Sequence, residues 1–115
     1  MDCIDLQFAV KELCRQMSRI NAAAWEKLVR VRKYLVHRPR LILNSEWQSQ
    51  QNMMMVYSDA NSEGCVKSRK SSSGGVIKIG EHLIRSWSKT QATIALSSGE
   101  SELYATRKAC QEDWA

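Results

Sequence analysis

The chain has 115 residues, 43% of them hydrophobic and 25% charged, with 17 lysines and arginines against 12 acids for a formal net charge of +5. Those values fit one ordinary globular domain, or pieces of two, with room for a modest core. The positive balance permits binding to polyanions, while no apolar run approaches the roughly 20 residues that span a bilayer.

The N-terminus opens Met1-Asp2-Cys3 and lacks a basic segment followed by an apolar one. The expectation is therefore an intracellular protein, cytoplasmic or nuclear, with no signal peptide and no membrane contact. Cys3, Cys14, Cys65 and Cys110 form no C-x-x-C pair, and His37 and His82 add no zinc-ligand spacing. The cysteines read as reduced and structural.

In chain order, Leu6, Ala9, Val10, Leu13, Cys14 and Met17 recur at three- and four-residue steps, which predicts a first helix from about Ile4 to Met17. Asn21 is positioned to cap a second helix carrying Trp25, Leu28, Val31 and Leu35, which ends before Pro39. Leu41 and Leu43 suggest a short strand, and Gln48 to Asn52 reads as a polar linker. Strands are predicted at Met53 to Ala60, Gly74 to Ile79 and His82 to Trp87, the last two joined by a tight hairpin at Gly80-Glu81. The serine-rich stretch from Asn61 to Ser73 reads as a loop. A third helix starts at Ser97, three residues before Glu100 as in a capping box, and runs to about Asp113. Two helices, three sequential strands and a final helix make an α+β protein with a helix on one face of an antiparallel sheet.

Two carboxylates are candidates for chemistry. Asp59 ends the first strand, where alternation points it to the face opposite Ser58; an Asp at a strand end is also an ordinary turn former. Glu100 and Glu102 lie about 200° apart around the helix, so only one of them faces a sheet. Glu102 shares its side with Ala105 and Ala109, small residues that let a helix lie close, and is expected to aim inward at the strand bearing Asp59; the alternative is a solvated helix glutamate. Facing carboxylates hold Mg²⁺ through oxygen with water completing an octahedron, and two-ion hydrolysis uses more of them. Glu63 and Asp113 are weaker candidates. Between Ala22 and Arg40, Lys27, Arg30, Arg32, Lys33, Arg38 and Arg40 face one acid, Glu26. With Trp25 and Tyr34 they form either a grip for a phosphate backbone or the solvated side of an amphipathic helix. Arg69 and Lys70, followed by three serines, make a second basic patch.

Four words stand in order: Y-S-D-A, R-K-S-S-S-G-G, S-W-S-K-T-Q and L-S-S-G-E-S-E-L-Y-A. Together with Trp25, Leu28, Lys33, Tyr34 and Leu35, they resemble copia-type LTR retrotransposon polyproteins, at the end of the reverse transcriptase region and the start of the ribonuclease H domain. The resemblance implies a helical tail over 1–47 and a partial ribonuclease H-like domain over 53–115, with a truncated three-stranded antiparallel sheet and one packed helix. It also implies Asp59 and Glu102 as catalytic metal ligands, Mg²⁺ as cofactor, and an RNA–DNA hybrid or other nucleic acid as partner; the basic patches read from the residues themselves offer Lys27, Arg30, Lys33, Arg69 and Lys70 as its contacts. The family's later carboxylates are absent, so this stretch alone is expected to be catalytically incomplete and to need the rest of the polyprotein. A non-catalytic nucleic-acid-binding or interaction module using the basic helix 22–40 is the alternative. The missing strand would leave Met53 to Tyr57 as an exposed apolar edge and the chain marginally stable.

Overall fold

The computed structural model describes residues 3–62 and 68–113. They fall into two units, Met1–Asn44 and Ser45–Ala115. The class is α+β, as the element order predicts.

In the first unit a single 3₁₀ turn, Ile4–Leu6, runs into helix α1, Gln7–Cys14, followed by α2, Ala22–His37. The predicted first helix therefore breaks early. Beyond Cys14 the backbone tightens into i→i−3 bonds, Gln16 N–H to Leu13 O and Met17 N–H to Cys14 O, which do not propagate an α-helix. Asn21 caps α2 as its residue type predicts, its Oδ1 accepting the Ala24 N–H at 2.8 Å. The helix ends two residues short of Pro39, where Arg38 leaves helical dihedrals. Among the described residues of this unit, only Leu6 and Ala24 are buried. The Tyr34 hydroxyl donates to Asp5 Oδ2 at 2.6 Å and ties α2 back to the 3₁₀ turn.

Residues 38–53 take no regular structure, so the strand expected around Leu41 and Leu43 is not formed. Alternation supplies a face but no ladder, and Leu41, Ile42 and Leu43 all stay exposed. Gln48, expected in a linker, instead braces the sheet. Its Nε2 donates to Ile79 O at 2.8 Å and its Oε1 accepts the Glu81 N–H at 3.0 Å. These bonds clamp both sides of the hairpin at Gly80, whose φ of +58° suits glycine.

The second unit holds β1 (Met54–Asn61), β2 (Ser72–Ile79) and β3 (His82–Thr90) in one antiparallel sheet of order β1-β2-β3, and helix α3 (Ser98–Asp113). β2 starts earlier and β3 ends later than the sequence predicts, because Ser71, Ser72 and Ser73 are buried and not in a turn. Register places Val56 opposite Ile77 and Gly75 opposite Trp87. Val56, Ile77 and Trp87 form the core with Ala109 of α3, so this is the face that the helix covers. The indole of Trp87 fills the space above Gly75: a Cβ there would lie 2.1 Å from the Trp87 ring. Ser101, Ala105, Ala109 and Glu112, spaced by three or four, are the buried positions of α3.

The N-terminus of α3 is capped as its sequence predicts, with one change. Ser97 Oγ accepts the Glu100 N–H at 3.1 Å. The Glu100 carboxylate takes the N–H of Leu96, at 2.6 Å, one residue before the position a standard capping box uses, and also the Tyr104 hydroxyl at 2.8 Å. Both bonds favour the charged form and lower its pKa.

Candidate functional site: a basic groove beside Glu112

Glu112 sits one residue from the end of α3 with only 4% of its side chain exposed, and it is held by three cations. Arg85 Nη2 lies 2.5 Å from Oε2, and Lys89 Nζ and Lys108 Nζ lie 2.7 and 3.0 Å from Oε1. Arg85 and Lys89 flank Trp87 on β3 and share its face by strand alternation; Lys108 precedes Glu112 by one helical turn. The hydrogen bonds from Lys89 and Lys108 outweigh the cost of burial and hold the Glu112 carboxyl down to about 2, well below its usual 4.5. Three cations to one carboxylate leave this corner of the molecule positive.

Next to this cluster, between the end of β3 and the outer side of α3, lies a groove of about 550 Å³. Lys89, Thr90, Thr93, Tyr104, Arg107 and Lys108 line it, and among the described residues no carboxylate does. Gln91 closes one side. Its Nε2 donates to Ser73 Oγ and to Ser101 O, both at 2.8 Å, which joins β2, β3 and α3. Its buried Oε1 has no hydrogen-bond partner among the described residues. Cations interleaved with hydroxyl and amide donors recognise negative charge, and charge-assisted hydrogen bonds are the stronger kind.

The residues singled out from sequence fall elsewhere. Asp59 is exposed on β1, opposite Gly74, and alternation puts it on the face away from Val56. Glu102 is exposed too, so the expectation that it points inward with Ala105 and Ala109 is corrected: Ser101, one residue earlier, takes the inward position. Among the described residues no group of three or more His, Cys, Asp and Glu side chains could hold a metal ion. Asp59 and Glu102 therefore belong to no such cluster. Lys27, Arg30 and Lys33 are exposed on α2 in the first unit, and Lys33 with Arg32 edges a shallow 260 Å³ hollow. Arg69 is exposed with φ of +54°, and Lys70 is half-buried. Glu63 and Cys65 lie outside the described residues, as does the side chain of Asp113. Cys3, Cys14 and Cys110 are free thiols, but exposed and not structural.

Sequence reasoning missed Glu112 and its cations. The signal was present in two periods. Glu112 continues the Ser101-Ala105-Ala109 stripe, and Arg85 and Lys89 alternate with a tryptophan that had to face a core.

No family model matches the chain. No solved structure matches it either. It is similar to secreted RxLR effector protein 161 of Plasmopara viticola, with 36% identity over 108 residues that cover 94% of this chain and 75% of the relative. This finding overturns the reading as a fragment of a copia-type retrotransposon polyprotein, and with it the reverse transcriptase and ribonuclease H ancestry and the parent activity. The expected intracellular location is overturned as well, because the relative is a secreted protein. The words that suggested a retrotransposon have structural work here: Lys89 grips Glu112, Gln91 ties Ser73 to Ser101, and Ser97 caps α3. At that identity and coverage the chain belongs to the family of secreted RxLR effector protein 161.

Proposed function

We propose that this chain is an effector-type protein, secreted from the cell that makes it and acting by binding, with the basic groove between β3 and α3 as its working surface. The observation that carries the reading is the 36% identity, across nearly the whole chain, to a secreted RxLR effector protein. The groove supports the mode of action. It gathers Lys89, Arg107 and Lys108 on a chain of net charge +5, so the partner it suits is an acidic segment of another protein. The buried Glu112 sets the spacing of two of those cations and preorganises the surface.

Two measurements test this. An antibody raised against the chain should find it in the extracellular fraction of the producing organism; confinement to the cells would remove the secreted part of the reading. For the binding part, the purified chain is titrated with an acidic peptide and, in parallel, with an RNA–DNA hybrid, each at low and at physiological salt. Tighter peptide binding that weakens with salt and with Arg107→Glu supports the groove. Preference for the nucleic acid, or indifference to Arg107→Glu, refutes it.

A further inference from the structure

The two edges of the sheet differ. β3 carries Arg85 and Lys89 and faces a register irregularity at Ile77/Lys78 in its neighbour, devices that keep an edge from pairing. β1 reads Met-Met-Val-Tyr-Ser-Asp-Ala-Asn and has one charge, Asp59, near its end. Among the described residues β1 pairs only with β2, so its outer row of backbone N–H and C=O groups is open along eight residues. Met55 and Tyr57 project from the face that α3 does not cover, 48% and 53% exposed, with the Tyr57 hydroxyl 3.8 Å from Met55 Sδ. An open ladder is satisfied by one kind of occupant, another extended strand.

We propose that this occupant is β1 of a second copy, paired antiparallel about Val56 to make one continuous six-stranded sheet. The strand's own order argues for self-pairing. Centred on Val56, the two-fold sets Met55 opposite the second copy's Tyr57 and Tyr57 opposite its Met55, on the open face. Val56 meets Val56 on the covered face. Aromatic and long apolar side chains facing across strands are stabilising pairs. Asp59 falls opposite Met53, and the two carboxylates end up about 20 Å apart, six residues at about 3.4 Å each. A parallel pair would instead set Asp59 against Asp59, and like charges directly opposite are destabilising. The two-fold arrangement also closes, because each copy spends its one open edge. This surface is separate from the basic groove and does not depend on the effector reading.

Sedimentation equilibrium of the full chain, from micromolar to sub-millimolar concentration, should show a monomer–dimer equilibrium. The double variant Met55→Lys/Tyr57→Lys places lysine opposite lysine at two positions and should weaken the dimer about tenfold or more; Met55→Glu/Tyr57→Glu should do the same. An equimolar mixture of the two variants should recover the dimer, because lysine then faces glutamate. In the wild-type chain, amide exchange over 54–61 should slow as concentration rises, a readout that needs no variant. A wild-type chain that stays monomeric, a dimer indifferent to both double variants, open-ended polymers, or exchange over β1 that ignores concentration would each overturn the proposal.

Discussion

Helices α2 and α3 are each 16 residues long, yet they meet opposite fates. α2 has the more apolar sequence, a capped N-terminus and a stripe of Trp25, Leu28, Val31 and Leu35, but it buries only Ala24 and leaves Trp25 61% exposed. α3 is polar by composition and buries Ser101, Ala105, Ala109 and Glu112. An apolar stripe states a demand for cover; what meets it is a partner of fitting shape. The sheet under α3 offers a broad surface, and side chains no larger than alanine over most of the contact let the helix settle onto it. The same contrast divides the two units. The second is tied together by a tryptophan core, a glutamine that joins three elements and a glutamate held by three cations. The first is held by its cap, the Asp5–Tyr34 bond and a small contact between its helices.

The sharpest test of this contrast is a pair of tryptophan truncations. Trp87→Ala empties the space above Gly75 and should cost about 3–5 kcal/mol, read as a lower urea midpoint by far-UV circular dichroism. Trp25→Ala, in the apolar stripe of α2, should change stability by no more than about 0.5 kcal/mol. Similar losses for the two would break the comparison.

Glu112 gives the next largest effect. Glu112→Gln gives up charge-assisted bonds to Lys89, Lys108 and Arg85. Because the three cations are themselves well exposed and regain water, the expected cost is about 2 kcal/mol. Its pH dependence has a definite sign. The folded-state pKa is near 2 and the ordinary value is 4.5, so the stabilisation is complete above about pH 4.5 and is lost as pH falls towards 2. Urea midpoints measured across pH 2 to 6 should fall on the acid side for the wild type and flatten for Glu112→Gln. An acid limb that persists unchanged in the variant would show that other carboxylates carry it.

A smaller effect again belongs to the N-cap of the helical unit. Asn21→Ala removes the one side-chain cap of α2 and should cost about 1 kcal/mol, read as lost helicity and faster amide exchange over 22–37 with exchange in the sheet unchanged. A matching change in the sheet would mean that the two units unfold together.

Much of the local structure was legible in the residues. Asn21 announced a helix start, Pro39 a helix end, Gly80-Glu81 a hairpin, and Ser97 with Glu100 the start of α3, because each acts through dihedrals or hydrogen bonds within a few positions. The strand around Leu41 and Leu43 failed for want of a neighbour to complete its ladder. The site was less legible. Glu102 looked inward on a helical wheel, but Ser101 took the interface position, a choice set by where the sheet lies. The four sequence words pointed to a retrotransposon by their order along the chain, whereas Lys89, Gln91, Ser97 and Glu100 bind other parts of the chain.

By itself the sequence determined the α+β class, the order of the elements, most of their ends and the positive charge, all of which follow from residue types acting over short separations. Only the tertiary structure decided which face of α3 is buried, that Glu112 rather than Glu102 holds the charged cluster, and that Gln48 braces a hairpin more than 30 residues away. Those outcomes depend on groups distant in sequence meeting in space, where burial and the exclusion of water set which charges pair and which surfaces stay exposed.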